Sequence, residues 1–317
     1  MRQAALLYNA RSGGGRRQRD TDLNRILKVL EAAGVEAALV RTQSSADAAE
    51  QARLAIVRGC DTVFACGGDG TVHDVLQGMA GSPAALGIVP MGTANSLAHD
   101  LGLPLDPARA VRVALQTEPS RIALGRVTVN GLLGALVTRY FTVAVGIGVD
   151  AHLFYKLHAG TKQRLGMGAY YYKAWHLWCT HCMEKFDVQL SSADGDKVLH
   201  RGVTEMLAVR IRNFGGVLQE LAPGASLDRD DLRIVTCHSS SRLSYLLYVT
   251  RGLLGAKWDV RGVELAFAEA VRCTAPEVSS DEVSCKIYVE ADGELLGTLP
   301  AEITMVPDAL SLLIPKR

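Results

Sequence analysis

The sequence predicts an α/β domain built on a parallel sheet, followed by a β-rich domain of sandwich type. Over roughly the first 115 residues, short apolar runs alternate with segments of helical periodicity, the pattern of a parallel sheet covered by helices. Beyond about residue 122 the period falls to two, and the dipeptides Asn130-Gly131, Asp194-Gly195 and Asp292-Gly293 mark hairpin turns. The chain has 317 residues, 48% of them hydrophobic, which exceeds what one core usually absorbs. The expected boundaries are 1–122 for the first domain and 123–304 for the second, with the residues from about 305 to 317 returning to the first.

Ala4 to Tyr8 reads as the opening strand; Met1 to Asn9 is too short and too poor in basic residues for a secretory signal. Leu23, Ile26, Leu27 and Leu30 recur at helical spacing until Gly34 stops the helix. Val35 to Val40 forms the second strand, Ala46 to Arg58 the second helix, and Thr62 to Cys66 a third strand leading into a glycine loop. Ala85 to Val89 is the fourth strand. Gly92-Thr-Ala-Asn95 then precedes a short helix ended by Gly102, and Asp106-Pro107 has the order of an N-cap followed by a first-turn proline. In the second domain His152 to Lys185 is too long and too aromatic for a loop and reads as mostly helical.

Lys plus Arg number 34 against 33 Asp plus Glu, so a net charge of +1 gives no electrostatic reason to expect nucleic acid. No transmembrane segment is expected: the best apolar stretch, Leu132 to Val149, is interrupted by Arg139 and carries three glycines. Seven cysteines without an export signal point to reduced thiols and a cytoplasmic location. Cys179-Thr-His-Cys182, with His176 and His181 nearby, has zinc-like spacing, but no second Cys-x-x-Cys completes a structural set and metal is not expected there.

The chemistry concentrates first in Gly67-Gly68-Asp69-Gly70-Thr71, between a strand and a helix whose apolar face is Val72, Val75, Leu76 and Met79. Backbone amides converging at a helix N-terminus suit an anion, glycines allow close approach to phosphate, and Asp69 can hold magnesium through water. Read alone, the loop is either such a cradle or only a tight turn.

Asn9-x-x-Ser12-Gly13 after the first strand, Thr42 after the second, the Gly67 loop after the third and Gly92-Thr-Ala-Asn95 after the fourth resemble the diacylglycerol kinase catalytic family, whose motifs sphingosine and ceramide kinases share. The resemblance continues through Gly146-Ile-Gly148-Val-Asp150, Arg164-Leu-Gly166 with Tyr170 and Tyr171, and Asp292-Gly-Glu294, followed by Pro300, Pro307 and Pro315. It therefore covers nearly the whole chain. It implies a Rossmann-like first domain of the NAD kinase and diacylglycerol kinase kind, with ATP and Mg2+ as cofactors. Asn9, Ser12, Gly13, Thr42, Gly67, Gly68, Gly70, Thr71, Gly92, Thr93 and Asn95 would line the nucleotide. Asp69 and Glu294 would be catalytic, Glu294 as general base on the lipid hydroxyl.

Three positions depart from the family pattern: Ser96 and Ala123 replace acidic residues of the metal network, and Arg229 interrupts Ala225 to Leu232 where relatives show Asp-Gly and hold a structural magnesium. Asp228, Asp230 and Asp231 remain, and Asp228 with Asp231 is either a metal site or a solvated acidic turn. Asp100, one helical turn after Ser96, either compensates for it or is a surface charge. The aromatic and basic residues of 152–185, among them Tyr155, Lys156, Lys162, Lys173, Trp175 and Trp178, suit a membrane headgroup layer or a helix packed on the β-domain. The resulting expectation is a lipid kinase acting on a lipid substrate at the inner face of the membrane, with diacylglycerol as the leading acceptor. Its alternatives are an NAD kinase-like enzyme and a lipid-binding pseudokinase, and a homodimer is left open.

Overall fold

The computed structural model describes all residues except 10–15, 149–182, 193–194, 216–220, 239–243, 245–246, 249, 253–254, 256–257, 277–285 and 316–317. Ser12, Gly13, the Cys179 to Cys182 motif and nearly all of the 152–185 segment thus lie outside the described residues. The chain separates into two units, one of Met1–Leu124, Ile211–Gln219 and Val306–Arg317, the other of Gly125–Arg210 and Glu220–Met305.

In the first unit β1 (Gln3–Asn9), β2 (Glu36–Thr42), β3 (Thr62–Gly67) and β4 (Ala85–Pro90) form a parallel sheet in the order β2, β1, β3, β4. Every residue of β3 and β4 is buried, as expected of central strands covered on both faces, whereas β2 at the edge is largely exposed. The last residues of β15 (Glu294–Leu313) extend the sheet beside β4 in parallel, with Ser311 opposite Ala85 and Leu312 opposite Leu86. That return is fastened by Gly81, whose N–H donates to Ala309 O (2.7 Å), and by Arg121. The Arg121 guanidinium donates to Ser82 O (2.9 Å) and pairs with the Asp308 carboxylate (2.7 Å).

The helices are α1 (Arg16–Ala32), α2 (Ser45–Val57), α3 (Asp69–Met79), α4 (Ser96–Asp100) and α5 (Pro107–Leu115). Leu23, Ile26 and Leu30 of α1 and Val111 and Ala114 of α5 pack with Leu6, Phe64 and Val89 of the sheet in one core. Helix α3 presses so closely on α2 that a Cβ at Gly78 would stand 2.0 Å from Ala49 O. The expected cap at Asp106 forms, Oδ1 accepting from Arg109 N (2.8 Å) before α5, and a second cap joins it at Ser44, whose Oγ accepts from Asp47 N (3.2 Å) before α2.

The second unit is antiparallel. Its strands are β5 (Pro119–Gly131) from Gly125 onward, β6 (Leu136–Phe141), β7 (Ala144–Gly148), β8 (Phe186–Ser191), β9 (Lys197–Val203), β10 (Glu205–Val209), β11 (Leu232–Cys237), β12 (Val263–Ala268), β13 (Ala270–Thr274) and β14 (Tyr288–Ala291). One ladder runs β12, β11, β10, β7, β14, β15 and another β9, β8, β13, β15. Val145, Ile147, Met206, Ile234 and Val289 of the first ladder share a single apolar cluster with Phe186, Val188, Val271 and Ile303 of the second. This is the expected β-rich architecture.

One turn differs from expectation. Asn130-Gly131 does not form a two-residue hairpin loop; Asn130 pairs with Leu136, and the chain reverses over 131–135 with Gly131 N donating to Ala135 O (2.8 Å). Gly131 is closely packed in this loop, where a Cβ would meet Val137 at 2.6 Å and Ala135 O at 2.7 Å. Asp292-Gly293 does form the two-residue loop, with φ of 49° and 84° and Ala291 opposite Glu294. Among the described residues no helix is long and apolar enough to cross a membrane.

The Asp106 carboxyl is held below its ordinary range by the Arg109 N–H and then by Arg25, 3.0 Å away. A depressed carboxylate pKa stabilises the fold above the unfolded value and ceases to do so as pH falls through the folded one. Asp106→Ala is expected to cost about 1 kcal/mol in urea unfolding at neutral pH and progressively less in acid, with Asp106→Asn keeping the cap bond, losing the charge-dependent part and showing no such change with pH. An undiminished cost at low pH would rule out this carboxylate as the source.

Candidate functional site

The parallel register brings the carboxyl ends of four strands to one edge of the first unit. Asn9 stands opposite Thr42, Tyr8 opposite Cys66, and Gly67 opposite Pro90. Open parallel sheets bind ligands at this edge, because the loops there lead into helix N-termini. Thr42 is buried, and its Oγ1 donates to Tyr8 O (3.3 Å); Asn9 is half-buried beside it.

The glycine loops lie at the centre of that edge. Gly68 is the N-cap of α3, and its carbonyl accepts from Thr71 N (2.9 Å) and Val72 N (3.2 Å), so the helix begins at Asp69 with no cap side chain at the N-cap position. Asp69, in the first turn, complements the positive end of the helix dipole. A Cβ on Gly67 would come within 2.2 Å of Thr71 Oγ1, which leaves only glycine at that position. The second loop meets the first backbone to backbone: a Cβ on Gly92 would lie 2.3 Å from Gly68 Cα.

Asn95 closes the second loop. Held at φ 52°, ψ 47°, it accepts from Gly92 N through Oδ1 (2.9 Å) and donates to Gly92 O through Nδ2 (3.0 Å). Thr93 at the tip is exposed. The structure thus gathers Gly67, Gly68, Asp69, Gly70, Thr71, Gly92, Thr93 and Asn95 around one helix N-terminus, with Asn9 and Thr42 at neighbouring strand ends. Asn95 is there as the tie of its own loop, since both ends of its amide bond Gly92.

Asp100 requires correction: it is not a surface charge. It is 8% exposed, and Oδ1 accepts from Arg212 N (2.8 Å) and Asn213 N (3.0 Å), which fastens that later segment to α4. Ala123, at 2% exposure, is a core residue of β5.

In the second unit, the Asp292 carboxylate accepts from three successive backbone amides, Thr142 N (3.0 Å), Val143 N (2.9 Å) and Ala144 N (3.1 Å). The turn is held further by Gly293 N, which donates to Glu290 Oε2 (2.8 Å). Glu294 follows directly, exposed at the first position of β15. A fixed turn thus presents an exposed carboxylate, but Asp292, which sequence reasoning treated as a turn residue alone, supplies the fixing.

Asp228 and Asp231 do not converge with a third ligand into a metal cluster among the described residues. Arg229 takes Asp231 in a two-point pair, Nε to Oδ1 at 2.6 Å and Nη2 to Oδ2 at 2.5 Å, and lies 4.1 Å over the Phe267 ring. Beneath them the fully buried Arg210 donates to Leu227 O (3.4 Å), Arg229 O (2.5 Å) and Asp231 O (3.1 Å). Burial pushes the Arg210 pKa down to about 10 against the raising effect of Asp230, Asp231 and Asp228, so the guanidinium stays charged at neutral pH. A cation therefore does sit inside this loop, and it is an arginine that the spacing of the acidic residues did not reveal.

Comparison with known proteins agrees with this geometry. Residues 3–127 match the diacylglycerol kinase catalytic domain, and residues 143–314 match the YegS C-terminal NAD kinase beta sandwich-like domain. A diacylglycerol kinase of Bacillus subtilis (strain 168) is 27% identical over 319 residues, spanning 100% of this chain and 97% of its own. One of Staphylococcus haemolyticus (strain JCSC1435) is 26% identical over 317 residues, spanning 99% and 88%. Among solved structures, a diacylglycerol kinase from Bacillus anthracis str. Sterne superposes with a TM-score of 0.70 at 19% identity over 99% of this chain and 96% of that one. Yeast NADH kinase complexed with NADH superposes at 0.54 and 10% identity over 99% and 84%. These structures share the fold.

The contact between the glycine loops makes Gly92 the sensitive position. Gly92→Ala is expected to cost about 1–3 kcal/mol, because the new methyl meets backbone that cannot step aside, while the exposed Thr93→Ala stays within about 0.5 kcal/mol. Chemical denaturation of both variants checks this, and equal stabilities would mean that the loops are not in contact.

Proposed function

The chain belongs to the diacylglycerol kinase catalytic domain family, and from that membership we propose that it is an ATP-dependent lipid kinase transferring the γ-phosphate to the free hydroxyl of diacylglycerol to give phosphatidic acid. The observation that supports it most is the close apposition of Gly68 and Gly92, backbone against backbone, beside a start of α3 that carries no N-cap side chain. Backbone amides of 68–70 and 93 hold the phosphates there, while the Gly92 amide is taken by Asn95, which keeps the second loop in shape. Asn9, Thr42, Ser12 and Gly13 line the rest of the nucleotide.

A lone carboxylate in the first turn of α3 fits magnesium, which keeps most of its waters and shares the phosphate oxygens, so Asp69 would hold it through water. Magnesium supplies charge neutralisation on the phosphates when bound. In the transfer itself, the acceptor oxygen bonds to the γ-phosphorus as the bond from that phosphorus to the β,γ-bridging oxygen breaks, and ADP leaves. The hydroxyl proton passes to the Glu294 carboxylate. Because the acceptor is a membrane lipid, the protein works peripherally on the cytoplasmic face of the membrane.

Labelled ATP incubated with diacylglycerol, sphingosine, ceramide, phosphatidylglycerol and NAD tests the reading, with label expected in phosphatidic acid. Label in NAD would make the protein an NAD kinase-like enzyme, and label in none a lipid-binding pseudokinase. With the acceptor in hand, Asp69→Asn is expected to remove most of the magnesium-dependent initial rate while the melting midpoint holds; a near wild-type rate would sink the role of the loop. Glu294→Gln is expected to lower turnover by roughly two to four orders of magnitude with ATP affinity and melting midpoint nearly unchanged. Retained turnover would take Glu294 out of the mechanism.

A further inference from the structure

In the second unit, far apart in sequence, His200 of β9, His238 just after β11 and Glu264 of β12 place one ligand atom each within 4.8 Å of one another. His200 Nδ1 is 3.3 Å from Glu264 Oε2, and His238 Nε2 is 3.8 Å from Glu264 Oε1. The two imidazole centroids are 5.5 Å apart. Backbone bonds fix all three carriers. Thr204, at the corner between β9 and β10, donates both N (2.8 Å) and Oγ1 (3.0 Å) to Cys237 O, the residue before His238. His238 N in turn donates to Gly262 O (2.8 Å), two residues before Glu264. His238 Nε2 is shielded from water and makes no hydrogen bond among the described residues, although a buried ring nitrogen ordinarily finds a partner.

Two imidazoles and one carboxylate are a zinc-type donor set, and ligand atoms around a tetrahedral ion with bonds of about 2.0–2.1 Å stand about 3.4 Å apart. The nearest separations, 3.3 Å from His200 to one Glu264 oxygen and 3.8 Å from His238 to the other, lie close to that spacing. Hard cations such as magnesium and calcium prefer all-oxygen sets, so the site selects for a transition metal. We propose that His200, His238 and Glu264 bind a divalent transition metal of the zinc class, with a fourth position left to water or a small anion. Its place in the fold gives it a structural effect: β9 is the end strand of one ladder and β12 the end strand of the other, each paired on one side only among the described residues. The metal clips the two sheet ends together where the hydrogen-bond ladders stop.

Isothermal titration of the full, untagged chain with zinc is expected to give one ion per chain and a zinc-dependent rise in melting midpoint. Cobalt(II) substituted at the site should show ligand-field bands without a thiolate charge-transfer band, which separates this site from the cysteines and from the Cys179 to Cys182 motif. Glu264→Gln, at an exposed side chain that does not threaten folding, is expected to weaken binding by at least about 10–100-fold, as is His200→Ala. Absence of zinc binding, affinity undiminished in both variants, or a cobalt spectrum dominated by thiolate would each overturn the proposal.

Discussion

The close approach of Gly68 and Gly92 is the constraint on which the nucleotide-binding edge depends. It begins in the sheet, where β3 and β4 are adjacent and parallel and end in register, so that Met91 N still donates to Gly67 O (2.9 Å) one residue beyond the strands. The two loops leave the ladder already touching. From there the first turns into α3 and the second is folded back on itself by Asn95, and neither path tolerates a side chain on the facing side. The arrangement starts the helix without an N-cap side chain, a condition that a capping Ser or Asp at Gly68 would abolish.

Several charged side chains are spent on holding backbone in place. Asp100 secures Arg212 and Asn213, Asp292 secures Thr142 to Ala144, and Arg121 secures the returning C-terminal strand to the loop after α3. A carboxylate that accepts two or three amides is committed to holding backbone. That separates Asp292, with its carboxylate bound into the turn, from its neighbour Glu294, which is exposed on the same hairpin. Adjacent acidic residues in one short motif therefore have different fates.

What was legible in the sequence was local. The glycine loops, the Asp106-Pro107 cap and the Asp292-Gly293 turn each depend on residues within a few positions of one another, and each forms where the pattern placed it. The roles that escaped depend on distance along the chain. Asp100 meets amides 112 and 113 residues away, and Asp292 meets amides about 150 residues away, so no spacing could disclose them. The same holds for His200, His238 and Glu264, which three separate strands bring together. The Asn130-Gly131 dipeptide marks the β5–β6 hairpin but not the length of its loop, which runs over 131–135 with Gly131 N donating to Ala135 O.

Arg210 gives the loop of residues 225–231 a counter-charge that is covalently part of the chain. Its guanidinium reaches the carbonyls of Leu227, Arg229 and Asp231, the kind of inward-facing oxygen cage that a dissolved ion could also occupy. A dissolved ion exchanges with the medium, competes with chelators and leaves when its concentration drops. A tethered guanidinium has fixed stoichiometry and cannot be diluted away, so this loop keeps its shape whatever the ionic supply of its surroundings.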